Sequence, residues 1–259
     1  MTRWLAVALA ACSSHAKPAG DGPHVAPHVV EPARASDAAP APPTPTGPPG
    51  DLQVRVEWHD VPVALRSSPG RTPCGTAEAP SVAPTTTWGI PDVFVILSSE
   101  RAKPAPDPGA RVTLEHCAFT PRVAIAGGAL AIASAELAPR EISFAQRTTL
   151  DKLDGVPAGT ARPVQLPIAG HEVAATLEAG GVYEVVSGAS DAWIVAAGSR
   201  YAGVTDAAGQ VVLRDLPSGT YAVTAWLPPR GGQPGKLAHG EAKVTAGALA
   251  QVTVDLAPR

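Results

Sequence analysis

Residues 52–58 (LQVRVEW) alternate apolar and polar side chains with a period of two, the pattern of a strand buried on one face. The same period returns near the end of the chain, in 211–214, 221–226, 240–244 and 251–256. Residues 93–97 (VFVIL) break the rule, because every position is apolar. A short run of that kind predicts a strand covered on both faces. Between these two groups lie shorter candidates at 111–114, 119–125, 129–133, 141–145, 164–166, 172–177, 182–186 and 193–196. The stretch 129–136 (ALAIASAE) has good helix propensity, but Gly127-Gly128 and Pro139 bracket it and favour a strand. A short helix is expected only near 150–153. The best patterned segment is 201–229, read as strand, turn, strand, turn, strand. Its turns are Asp206-Ala207-Ala208-Gly209 and Leu216-Pro217-Ser218-Gly219. Gly209 and Gly219 are expected at φ > 0, Pro217 presets the second turn, and Asp206 is expected to bond its own backbone. Residues 66–87, 101–110 and 231–235 read as loops.

Composition agrees with many short strands. In 259 residues there are 29 Pro and 25 Gly, with 45% hydrophobic residues but only 4% aromatic. That is enough apolar material for a sizeable core, and the punctuation disfavours long helices. The expected fold class is all-β, with two β-sandwiches. The formal net charge of −3 leaves no basic excess, so nucleic acid and anionic membrane surfaces are poor partners.

The N-terminus reads as an address. Arg3 is followed by a short apolar run, 4–11, and then by Leu9-Ala10-Ala11-Cys12, which resembles the lipobox of bacterial lipoproteins. Small residues fit the signal peptidase, and the Cys12 thiol is the expected lipidation site. The run is too short to span a membrane. Residues 1–12 are thus read as signal peptide and lipobox, and 13–50, rich in Pro and Ala, as a disordered linker reaching roughly 100 Å if extended at about 3.1 Å per residue. His24 and His28 have a helical metal spacing, but Pro23 and Pro27 break any helix there. The expected location is the cell envelope, lipid-anchored and facing the periplasm or the exterior, with the membrane as one partner and an envelope protein or glycan as the other. Two cysteines remain, Cys74 and Cys117. In an exported protein such a pair reads as a disulfide, the alternative being two unpaired thiols. The bridge would close a loop of about 40 residues, worth about 3–4 kcal/mol in the chain-entropy view.

Two resemblances divide the folded region. Residues 203–209 (GVTDAAG) followed by 216–221 (LPSGTY) resemble the signature of the carboxypeptidase regulatory-like, or transthyretin-like, domain. The resemblance implies a sandwich assembled from 51–104 and 199–259. Residues 117–123 (CAFTPRV), the Gly127-Gly128 turn and 130–136 (LAIASAE) resemble the front half of exported cupredoxin-like proteins, implying a second sandwich over 105–198. That family implies copper. A blue-copper centre needs two imidazoles, a thiolate and usually a thioether. Here Arg140 stands where the first imidazole would fall and Ser134 replaces an Asn. Residues 184–191 (EVVSGASD) contain no Cys, His or Met. No cofactor and no metal ligand are therefore expected.

The remaining chemistry is sparse. His116 beside Cys117 and His171 at a turn read as solvated or structural. Asp206 and Asp215 suggest calcium less strongly than they suggest turn bonding. Trp193, Trp226 and Tyr201 read as core. Nucleophile elbows, phosphate loops, H-E-x-x-H and C-x-x-C are absent from the sequence, so no catalytic residue is expected. The expected function is a non-enzymatic cell-envelope lipoprotein whose sandwiches bind or scaffold another component. The alternative is a periplasmic copper or electron-transfer protein with an atypical site. A hydrolase has no motif behind it.

Overall fold

A computed structural model with all side chains describes residues 47–68, 70–99, 109–154, 159–198, 200–230 and 233–257. Cys12, His24, His28, the signal segment and nearly all of the linker lie outside the described residues.

The folded chain opens with β1 (Gly50–Glu57) and β2 (Phe94–Ser98), joined by a long segment that holds one helical turn, α1 (Val63–Arg66). Nine strands follow: β3 (Ala110–Glu115), β4 (Ala118–Thr120), β5 (Val123–Ala126), β6 (Ala129–Ser134), β7 (Arg140–Thr149), β8 (Arg162–Leu166), β9 (Glu172–Thr176), β10 (Gly181–Ser187) and β11 (Ser190–Ala196). The last five are β12 (Tyr201–Val204), β13 (Gln210–Leu216), β14 (Gly219–Leu227), β15 (Lys236–Val244) and β16 (Leu249–Asp255).

Among the described residues these strands make four sheets. The orders β13-β1-β16 and β12-β2-β14-β15 face each other across one apolar core, which we call the enclosing sandwich. The orders β5-β11-β10-β7-β8 and β4-β3-β6-β9 face each other across a second, the inserted sandwich. Period-two alternation sets this up. In β1, Leu52, Val54 and Val56 are buried, whereas Gln53, Arg55 and Glu57 are only partly so.

A third apolar layer lies between the sandwiches. Phe94 and Ile96 of β2 and Trp226 of β14 meet Val123 of β5, Val182 of β10, and Trp193 and Val195 of β11. The ring of Trp226 stacks on Phe94 at 5.6 Å and meets Trp193 edge-on at 5.5 Å. The two inner sheets are thus buried on both faces. This explains the unbroken apolar run of β2: Val93, Val95 and Leu97 enter the enclosing core, and Phe94 and Ile96 enter the layer between. Cys74, in the β1–β2 connection, is disulfide-bonded to Cys117, in the β3–β4 turn, with Cα atoms 5.8 Å apart. The bond ties one sandwich to the other.

Three local expectations are corrected. Residues 119–125 form two strands, β4 and β5, separated at Pro121, which has no N–H to give a ladder. Gly219 is not left-handed; the left-handed residue near it is Asp215, φ 57°, inside β13 where the register against β1 shifts, and its N–H bonds Asp51 Oδ1 at 3.2 Å. Strand β7 runs to Thr149, well past 145. Its pairing with β10 shifts register between Val182 and Tyr183, which breaks the alternation that would have revealed it. The first turn of 201–229 forms as expected. Gly209 has φ 75°, and Asp206 Oδ1 accepts the N–H groups of Ala208 and Gln210 at 2.8 and 3.0 Å. A Cβ on Gly209 would lie 2.5 Å from the Ile90 backbone, so this turn also needs glycine for space.

Candidate functional site

The end of the inserted sandwich where the cupredoxin resemblance implied copper is built from paired polar groups. Ser134 is buried, and its Oγ accepts the Glu136 N–H at 3.0 Å. Glu136 Oε1 accepts the Cys117 N–H at 3.0 Å, and Oε2 lies 3.8 Å from the Arg140 guanidinium. Arg140, in the place of the first imidazole, is therefore held against a carboxylate. In the later stretch, Glu184 pairs with Arg147 at 2.7 Å. Ser190 Oγ accepts the Phe119 N–H at 3.0 Å. Asp191 pairs with Arg122 at 2.8 Å and accepts the Trp193 indole N–H at 2.9 Å. A guanidinium, two hydroxyls and occupied carboxylates do not fit copper, which selects imidazole and soft sulfur. Cys74, Cys117 and Glu136 bring ligand-type atoms within 4.8 Å of one another, but both sulfurs are in the disulfide and neither is a thiolate. His116 and Cys117 are the left-handed pair of the β3–β4 turn, with φ of 50° and 62°. The His116 ring is exposed and 3.8 Å from Glu115, and His171 is exposed at its turn.

A different place in the molecule has the shape of a binding site. A cavity of about 440 Å³ opens in the enclosing sandwich, where the β1–β2 connection meets the β14–β15 loop. Local bonds position its walls. The Val82 N–H bonds Leu65 O at 2.9 Å and folds the connection back onto α1. The Trp58 N–H bonds Trp88 O at 3.1 Å. Arg230 and Gln233 exchange backbone bonds at 3.1 and 2.9 Å across the tip of the loop. Trp58, Leu65, Val82 and Leu227 supply apolar walls, and Pro62, Pro228 and Pro234 add surface without N–H donors.

Charge in this pocket is arranged unusually. The Lys236 ammonium sits 4.4 Å from the centre of the Trp58 ring, a cation–π contact. Arg230 is 7% exposed. Its Nη1 donates to Ser81 O and to Asp92 Oδ2, and its Nη2 to Asp92 O, each at 3.3 Å. Its buried Nε has no partner among the described residues. Asp92 is 40% exposed, so the acid of the pair is partly open to water while the base is buried. Burial, and then the nearby Arg122, push the guanidinium down to about 10, against weaker pull from Asp92 and Asp191. At about 1.4 kcal/mol per unit, this opposes the charged form by about 3 kcal/mol. Asp60, exposed, is the carboxylate on the lining.

No protein family and no curated protein matches this chain. Among solved structures, the crystal structure of amicyanin from Paracoccus versutus (Thiobacillus versutus) is similar to 38% of the chain and to 95% of its own length, at 15% identity and a TM-score of 0.23. A likeness at that score assigns neither fold nor function.

Sequence reading did not single out Arg230 or Lys236. Arg230 follows Pro228-Pro229 and looks like a loop cation; only the fold brings Ser81 and Asp92 over it. Trp58 was legible as the last residue of an alternating strand, but its contact with Lys236 joins opposite ends of the folded chain.

Proposed function

We propose that this protein is a non-enzymatic, lipid-anchored cell-envelope binding module. In this reading Cys12 carries the lipid and the linker after it holds the sandwiches away from the membrane. The enclosing sandwich is of carboxypeptidase regulatory-like type, and the inserted one is cupredoxin-like without its copper. The observation that supports binding is the cavity beside Trp58: concave, mostly apolar, and furnished with a few convergent polar groups, as small-ligand sites are.

The test uses the isotope-labelled mature chain and a library of small organic fragments followed by amide and indole NMR shifts. Binding predicts shifts that cluster on Trp58, Val82, Arg230 and Lys236. Replacing the exposed rim residue Pro234 by Trp should abolish them without altering the rest of the spectrum. A library that leaves these resonances unmoved overturns the assignment. Anchoring is checked separately: Cys12→Ala should release the protein from the membrane fraction, and unchanged fractionation rejects the lipoprotein reading.

A further inference from the structure

We propose that the pocket beside Trp58 takes an organic carboxylate, an acid group carried on a flat apolar body. This rests on the cavity being the binding site, and it names the class of ligand.

Two cations line the cavity, Arg230 and Lys236, against one carboxylate, Asp60. Arg230 is built into the wall rather than placed on the surface. It is more than nine-tenths buried, its three bonds are long at 3.3 Å, and its Nε is unpartnered among the described residues. Asp92, the carboxylate within ion-pair distance, spends much of its field in solvent. Arg122 on the other sandwich adds repulsion, and Asp191 partly offsets it. A buried cation with so little compensation favours a negative charge brought into the same low-dielectric space. Lys236 makes no ion pair among the described residues; its ammonium rests against the Trp58 face at the cavity wall, a contact that leaves its charge without a carboxylate partner there.

The rest of the lining selects the body of the ligand. Trp58, Leu65, Val82 and Leu227 present apolar surface, and the prolines offer no N–H groups. A bare phosphate needs several donors around its oxygens. Here the side-chain donors are those of Arg230, Lys236, Ser81 and Gln233 beside a mostly apolar lining, so the chemistry favours one carboxylate with an apolar remainder. A volume of about 440 Å³ admits a small molecule.

The probes are phenylacetate, its neutral analogue phenylacetamide, and inorganic phosphate, titrated into the full mature chain and followed by the Trp58 indole N–H resonance. Phenylacetate should bind at least about tenfold more tightly than phenylacetamide. Lys236→Gln should weaken phenylacetate about fivefold or more and leave phenylacetamide unchanged. Added salt should weaken the acid only. If the amide binds as well as the acid, the anion assignment falls and the pocket reading stands. If phosphate binds more tightly than phenylacetate, the carboxylate assignment falls. If none of the three moves the Trp58 resonance, the pocket reading fails together with the inference.

Discussion

A guanidinium or a phenol taken out of water keeps a record of its surroundings in its titration. Arg230 and Tyr183 carry opposite records. Burial raises the Tyr183 pKa above 10.0, and the Glu178 N–H bonded to its oxygen at 2.6 Å only partly opposes the rise. The unfolded phenol ionises near 10 and the folded one later, so above pH 10 the folded state holds more protons. The stabilisation is fully present below pH 10 and is lost as pH rises through the folded pKa. Tyr201 acts in the same direction, through burial and then Asp215. Arg230 acts oppositely: its folded pKa of about 10 lies below the ordinary arginine range, so stability rises as the folded guanidinium gives up its proton. Tyr183→Phe isolates one contribution. The urea midpoint of the wild type should fall relative to that of the variant between pH 9 and 11; a constant difference across that range rejects the assignment. Little of this was legible beforehand. The alternation of 182–186 showed that Tyr183 is part of a strand. The burial of Arg230 is imposed by Ser81 and Asp92, far away along the chain.

Strands show the reverse balance, because period two is a property of the sequence itself. The unbroken apolar run of β2 implied two covered faces, and the fold shows what covers them: Val93 and Val95 meet the enclosing core, Phe94 and Ile96 the inserted sandwich. Trp226, read as core from the sequence, shares its face of β14 with Ala222 and Thr224, and it is 1% exposed because the second sandwich takes the place of water there. Trp226→Ala should therefore destabilise the protein by about 3–5 kcal/mol, the range for a large aromatic removed from a core. Val212→Ala, 41% exposed on β13, should change it by less than about 0.5 kcal/mol. Urea unfolding compares the two; equal effects would show that the layer between the sandwiches is not a packed core. Where the sequence misled, a local feature had no apolar signature. Pro121 interrupts a run that is otherwise well patterned, the register shift opposite Tyr183 hides the length of β7, and the left-handed residue near the second turn is Asp215, inside β13, with no glycine to signal it.

At the scale of the molecule, a shared apolar layer and a covalent bond make two sandwiches into one body. Cys74 and Cys117 stand 43 residues apart, and in the chain-entropy view their bond is worth about 3–4 kcal/mol. Cys117→Ser should lower stability by that order; heat or urea should unfold the native chain in one transition and the variant at lower midpoint. A midpoint unchanged by the substitution rejects the cross-link as a source of stability. That the chain makes β-sandwiches was legible in its many short, patterned strands. The contact between the sandwiches was not, since it depends on faces that each sandwich alone would turn to water. This arrangement also sets an order in time. β1 lies between β13 and β16, antiparallel to one and parallel to the other, and both belong to the last part of the chain. β3 to β11 are contiguous and can pair as they emerge. The inserted sandwich can close early, while β1 keeps both edges unpaired until β13 is made and one edge until the final strand arrives, the condition in which strands most readily find wrong partners. The protein is completed from the inside outward, and a chain cut short before β16 leaves its first strand without its parallel neighbour.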